Sequence, residues 1–141
     1  LKYFLPAEGI QQLIDDNTKK FTPDTIGIHI RRTDHTLSIR ESPLENFKTK
    51  MRTEVSENEH VSFYLATDDP EVRTQLKDEF GERLFYADAV LNRTTTEGMR
   101  HAMVDLFSLA RTGKIYGSFG SSYSDVAARI GNIPLFVVQG E

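Results

Sequence analysis

Apolar residues along the chain follow two alternating patterns, short unbroken runs and longer stretches that repeat every three or four positions. Ile10, Leu13 and Ile14 follow Pro6 at helical spacing and predict a helix within 7–20. Residues 25–30, β-branched and apolar between Pro23 and a pair of arginines, predict a strand. Pro43 opens a second predicted helix with Leu44, Phe47 and Met51 on one face. A strand over 61–66 ends at Thr67-Asp68-Asp69-Pro70, where an Asp can cap and Pro70 can open a helix over 70–80 carrying Val72, Leu76 and Phe80.

A brief strand over 84–86, a polar stretch from Asp88 to Thr96 and a helix over 97–111 come next, with Met99, Met103, Leu106 and Ala110 in register. Gly113 stops that helix before a strand over 114–116. The turn Gly117-Ser118-Phe119-Gly120-Ser121-Ser122 leads to a helix with Val126, Ala127 and Ile130, ended by Gly131 before a last strand over 135–138. Strands alternating with helices predict an α/β domain: a Rossmann-like parallel sheet of about five strands with helices on both faces.

Length and composition narrow the function without naming it. At 141 residues, 38% hydrophobic and 27% charged, the chain has the size and balance of one globular domain, 1–141. A net charge of −4 argues against a nucleic-acid partner but leaves room for a local anion site. No apolar run approaches the roughly 20 residues that span a bilayer. Absence of cysteine removes disulfides, thiolate metal sites and a Cys nucleophile, and is compatible with a reducing compartment. The triplet Asn92-Arg93-Thr94 is a glycosylation acceptor pattern that arises often by chance. Because the first residue is Leu1, a piece of a longer protein is expected.

Ligands of such sheets bind beyond the carboxyl ends of the strands. Three chemically loaded segments begin at such ends. After the first strand, His29-Ile30-Arg31-Arg32-Thr33-Asp34 offers either guanidinium forks for a pyrophosphate or solvated charges paired with Asp34. After the second, Asp69 offers a helix cap and Asp68 is freer for another role, with no obvious third acidic ligand to make a metal site. The Gly117–Ser122 turn presents a helix N-terminus suited to phosphate, without the Lys of a P-loop or the glycines of a dinucleotide fingerprint. Asp105, amid Met103, Val104, Leu106 and Phe107, must face solvent or find donors, and guanine presents two. His60 and His101 read as surface residues, and His35 follows the arginine pair.

Taken together these blocks resemble the superfamily of α1,6-, α1,2- and protein O-fucosyltransferases, closest to the α1,6 type and its bacterial nodulation relatives. The likeness rests on Ile26-Gly27-Ile28-His29-Ile30-Arg31-Arg32-Thr33-Asp34, on Phe63-Tyr64-Leu65-Ala66-Thr67-Asp68-Asp69-Pro70, and on Val104-Asp105 through Leu109 to Ser118-Phe119-Gly120-Ser121. It implies the C-terminal, donor-binding half of a two-domain GT-B enzyme that uses GDP-fucose, inverts configuration and needs no metal. The N-terminal domain would lie outside this chain, and the acceptor would be a glycan hydroxyl. By that resemblance Arg31, with Arg32 beside it, would bind the diphosphate. His29 and Asp105 would meet the guanosine end, Ser118 and Ser121 would bind phosphate, and Asp34, Asp68 and Asp69 would be needed for activity. A bacterial source would make it cytoplasmic and a eukaryotic one would place it in the Golgi lumen.

The chain also departs from the pattern. His35 stands where the α1,6 enzymes have Lys, and Gly120 where Ser is common. The position of their candidate base falls on Ile39, with Glu41 displaced from it, so no general base is assigned. The alternative is therefore a non-catalytic nucleotide-sugar-binding module. A response-regulator receiver is discounted because no Lys follows the last strand.

Overall fold

The computed structural model describes residues 8–31, 43–87 and 96–139. Its elements are α1 (Glu8–Thr18), β1 (Thr25–Ile30), α2 (Leu44–Glu57), β2 (Ser62–Thr67), α3 (Pro70–Phe80), a 3-10 turn (Gly81–Arg83), β3 (Leu84–Phe85), α4 (Thr96–Ala110), β4 (Ile115–Ser118), α5 (Ser122–Gly131) and β5 (Leu135–Val138). The five strands form one sheet in the order β3-β2-β1-β4-β5, and every neighbouring pair is parallel. This is the Rossmann-like layout that the alternation of patterns predicts. No described helix is long and apolar enough to cross a membrane.

Parallel strands covered on both faces bury every position, so they read as continuous apolar runs. In β1 all six residues are buried. Its even positions, Ile26, Ile28 and Ile30, join Phe63 and Leu65 of β2 against Phe47 and Met51 of α2 and Val72, Leu76 and Phe80 of α3. The opposite face carries Tyr64, Ala66 and Ile115 against Leu109 of α4 and Ala127 and Ala128 of α5. Asp69 caps α3, its Oδ1 accepting the Glu71 N–H at 2.9 Å, with Pro70 opening the helix. Such a cap contributes about 1 kcal/mol.

Two faces differ from expectation. On α4, Met99 is 61% and Met103 39% exposed, while Val104, Ser108 and Leu109 are buried. Apolar residues surround this helix, so periodicity alone cannot select its inner face, and packing on the sheet and α1 does. On α1, Ile14 is buried and Leu13 is 43% exposed, because the helix meets α4 through Asn17, whose Nδ2 donates to Ser108 Oγ at 2.8 Å. Strand β4 also runs two residues further than predicted, so Ser118 belongs to the sheet and pairs with Val138 rather than to the turn.

Close backbone approaches fix α5. A Cβ on Gly117 would lie 2.5 Å from Ser124 Oγ, and one on Gly131 would lie 2.1 Å from the Ala110 carbonyl oxygen. At the amino-terminal edge of the sheet, Glu54 of α2 accepts from Lys114 Nζ at 2.7 Å and from the Tyr116 hydroxyl at 2.5 Å. Burial pushes the Glu54 carboxyl up, but the hydrogen bonds from Lys114 and Tyr116 and the Lys114 charge overcome it and hold it below its ordinary value.

Gly131→Ala is expected to cost about 1–3 kcal/mol through this backbone clash, measured as a lower urea midpoint at unchanged slope. A lowered folded-state pKa stabilises above the ordinary carboxylate range and loses that effect as pH falls through the folded value. The stability advantage of wild type over Glu54→Gln should therefore be full near neutrality and shrink between about pH 5 and pH 3, as followed by denaturant titrations across that range.

Candidate functional site

The sheet order changes direction between β1 and β4, whose crossovers leave on opposite sides, and open α/β sheets bind ligands at such a switch point. His29 of β1 pairs with Gly117 of β4, so one step onward the carboxyl tips of both strands stand side by side. Beyond the last ladder bonds, side-chain hydroxyls take over. Ser118 Oγ accepts the Arg31 N–H at 2.9 Å and donates to the His29 carbonyl at 3.4 Å. On the other flank Thr67 Oγ1 donates to the Ile30 carbonyl at 2.7 Å and accepts the Asp69 N–H at 3.2 Å. The central strand tip is thus gripped from both sides, and Arg31 leaves it with a fixed backbone.

Arg31 is half-buried, and its Nε is shut off from solvent with no hydrogen-bond partner among the described residues. Ser121, the residue that opens α5, makes no side-chain cap, and its Oγ is likewise enclosed and unpartnered there. Its N–H donates to the Ser118 carbonyl at 3.4 Å, so Ser118 connects to both residues. A guanidinium nitrogen at the strand tip and a hydroxyl at a helix N-terminus are thus each removed from water without a partner among the described residues. That is an arrangement for an anion.

The other sequence candidates divide into three groups. His29 is buried in β1, its ring 4.8 Å from that of Tyr123 on α5, and the Tyr123 hydroxyl donates to the Ala102 carbonyl on α4. Asp68 and Asp69 follow β2 at the same edge of the sheet, and Asp69 is spent as the α3 cap. Asp105 lies on α4 and accepts a hydrogen bond from Tyr64, a buried residue of β2 that the sequence pattern shows only as a strand former. Arg32 and Asp34, together with His35, Ile39 and Glu41, fall outside the described residues. His101, expected at the surface, is instead half-buried on the wall of a cavity of about 490 Å³ between α1 and α4, and its Nδ1 is enclosed without a partner among the described residues.

No protein-family model matches the chain. Solved structures do match it. A NodZ fucosyltransferase from Bradyrhizobium superposes with a TM-score of 0.66 at 21% identity, over 86% of this chain and 41% of that one. NodZ α-1,6-fucosyltransferase co-crystallised with GDP gives a TM-score of 0.65 at 22% identity, over 84% and 40%. POFUT1 in complex with GDP gives 0.64 at 10% identity, over 93% and 46%. This is a fucosyltransferase-like fold. The sequence resemblance to that superfamily extends to the three-dimensional arrangement of the chain, which spans less than half the length of each of these structures.

Within this fucosyltransferase-like fold, Ser118 is the residue whose loss should be felt at once. Ser118→Ala leaves the Arg31 N–H without its acceptor, and an unsatisfied buried donor costs about 1–3 kcal/mol. The expected readout is a lowered melting temperature with faster amide exchange at Arg31 than at Ile28.

Proposed function

We propose that this chain is the donor-binding half of a fucosyltransferase, holding GDP-fucose while fucose passes with inversion to a hydroxyl of a glycan. One observation carries the reading. Arg31 Nε and Ser121 Oγ are both enclosed, both lack partners among the described residues, and both are tied to Ser118 at the β1–β4 switch point. A diphosphate offers acceptors for both at once. Solved neighbours of this fold that hold GDP support the choice of nucleotide.

The chemistry follows from charge. Breaking the bond between the sugar and the β-phosphate moves negative charge onto the diphosphate, so donors fixed beforehand stabilise the transition state more than the ground state. Arg31 supplies a full positive charge from a rigid strand tip, and the α5 N-terminus supplies the partial positive charge of a helix start. Thr67 couples that tip to Asp69, which is the part Asp68 and Asp69 take in this reading: they order the loops beside the diphosphate. His29 and Asp105 face the guanosine end, and Arg32 and Asp34 complete the arginine block. No metal is called for.

A second reading, a nucleotide-sugar-binding module without turnover, is favoured by Ile39 at the position of the general base. Fucose release from GDP-fucose by the complete protein separates the two. In either case Arg31→Ala should weaken GDP binding at least about 10- to 100-fold, the scale of one or two charge-assisted hydrogen bonds, without lowering the melting temperature appreciably. Unchanged affinity in calorimetry would remove the diphosphate site.

A further inference from the structure

Beneath Asp105 lies a polar network in a place where apolar side chains would fill the space. Tyr64 is 0% exposed in the middle of β2, between Phe63 and Leu65, and a buried phenol must find partners for its hydroxyl. That hydroxyl donates to Asp105 Oδ1 and accepts from Asn17 Nδ2 at 2.9 Å, while the same Asn17 nitrogen reaches Ser108 Oγ at 2.8 Å. The network therefore joins α1, β2 and α4, and Tyr64 connects it to one carboxylate. Burial and the Asp105 charge push the Tyr64 pKa well above 10, so the phenol remains a donor at physiological pH.

We propose that Tyr64 and Asn17 are positioning residues that aim the Asp105 carboxylate and thereby set which nucleobase the site accepts. The inference rests on the donor-binding reading and adds to it the origin of base choice. Each carboxylate oxygen has more than one lone pair, so Oδ1 can accept from Tyr64 and still share in a bond to a ligand. Guanine presents N1–H and N2–H₂ side by side, a donor pair that a carboxylate matches only in one plane. Adenine presents an acceptor at N1, which the same carboxylate repels. Discrimination of that kind depends on direction, because a site built to receive donors rejects a ligand lacking them only while its own acceptors are held in place. Tyr64 restrains the plane from below, and Asn17 restrains Tyr64 from the side.

The test is calorimetric titration of GDP, inosine diphosphate and ADP into wild type, Tyr64→Phe, Asn17→Ala and Asp105→Asn, with a melting curve for each. The expected result is a GDP-over-ADP preference reduced at least tenfold in Tyr64→Phe and Asn17→Ala. ADP affinity should be unchanged, and GDP should lose most of its margin over inosine diphosphate, which lacks the N2 amino group. Tyr64→Phe preserves the ring and its packing, so it keeps the test meaningful if Asn17→Ala melts early. Equal losses for GDP and ADP, or lowered stability with the preference intact, would make the network a structural brace and overturn the proposal. Loss of preference in Asp105→Asn alone would overturn the positioning role and leave the donor reading standing. Preference retained in Asp105→Asn would overturn the proposal with the donor reading intact, whereas absence of GDP binding by wild type would overturn the donor reading itself.

Discussion

The hydroxyls of Ser118 and Thr67, closing on the tip of β1 from either side, are the interaction on which the candidate site depends. A central parallel strand that simply ended would leave its last N–H and C=O groups unpaired in a buried setting. Extending the neighbouring strands would satisfy them but would cover the edge where a ligand must enter. Single side-chain hydroxyls satisfy the same groups in less space. Arg31 therefore emerges with its backbone immobilised, and fixed donors of this kind need no rearrangement when charge develops opposite them.

Polar groups are used differently at the two edges of the sheet. At the amino-terminal edge Glu54, Lys114 and Tyr116 satisfy one another within a compact cluster. At the carboxyl edge Arg31 Nε and Ser121 Oγ are enclosed and have no partner among the described residues. The first arrangement is complete in itself and stabilises the fold. The second leaves two donors ready for an acceptor from outside the described residues.

Much of the fold was legible in the sequence. The bounds of β1, α3 and β5 could be read to the residue because Pro23, the Asp69-Pro70 pair, Gly81 and Pro134 punctuate them. The inner face of α4 could not be read, since Met99 and Met103 look as apolar as Val104 and Leu109, and only contact with the sheet distinguishes them. The strand ends carrying His29, Arg31 and Ser118 stood out because chemistry gathers where apolar runs stop. What Ser118 does there was hidden, for its partners lie 87 and 89 residues away in sequence. Asn17 and Tyr64 were missed for the same reason. A usable signal did exist: a phenol inside the run Ser62–Thr67, otherwise apolar through its middle, needs a hydrogen-bond partner somewhere.

Gly131 brings the end of α5 into backbone contact with the end of α4, and Gly117 lets the start of α5 rest directly on β4. Contacts this close leave little slack to absorb a shift, so the two helices behave as one plate. Ser121 stands at one corner of that plate and Asp105 along its side. A push at either place is therefore carried to the other.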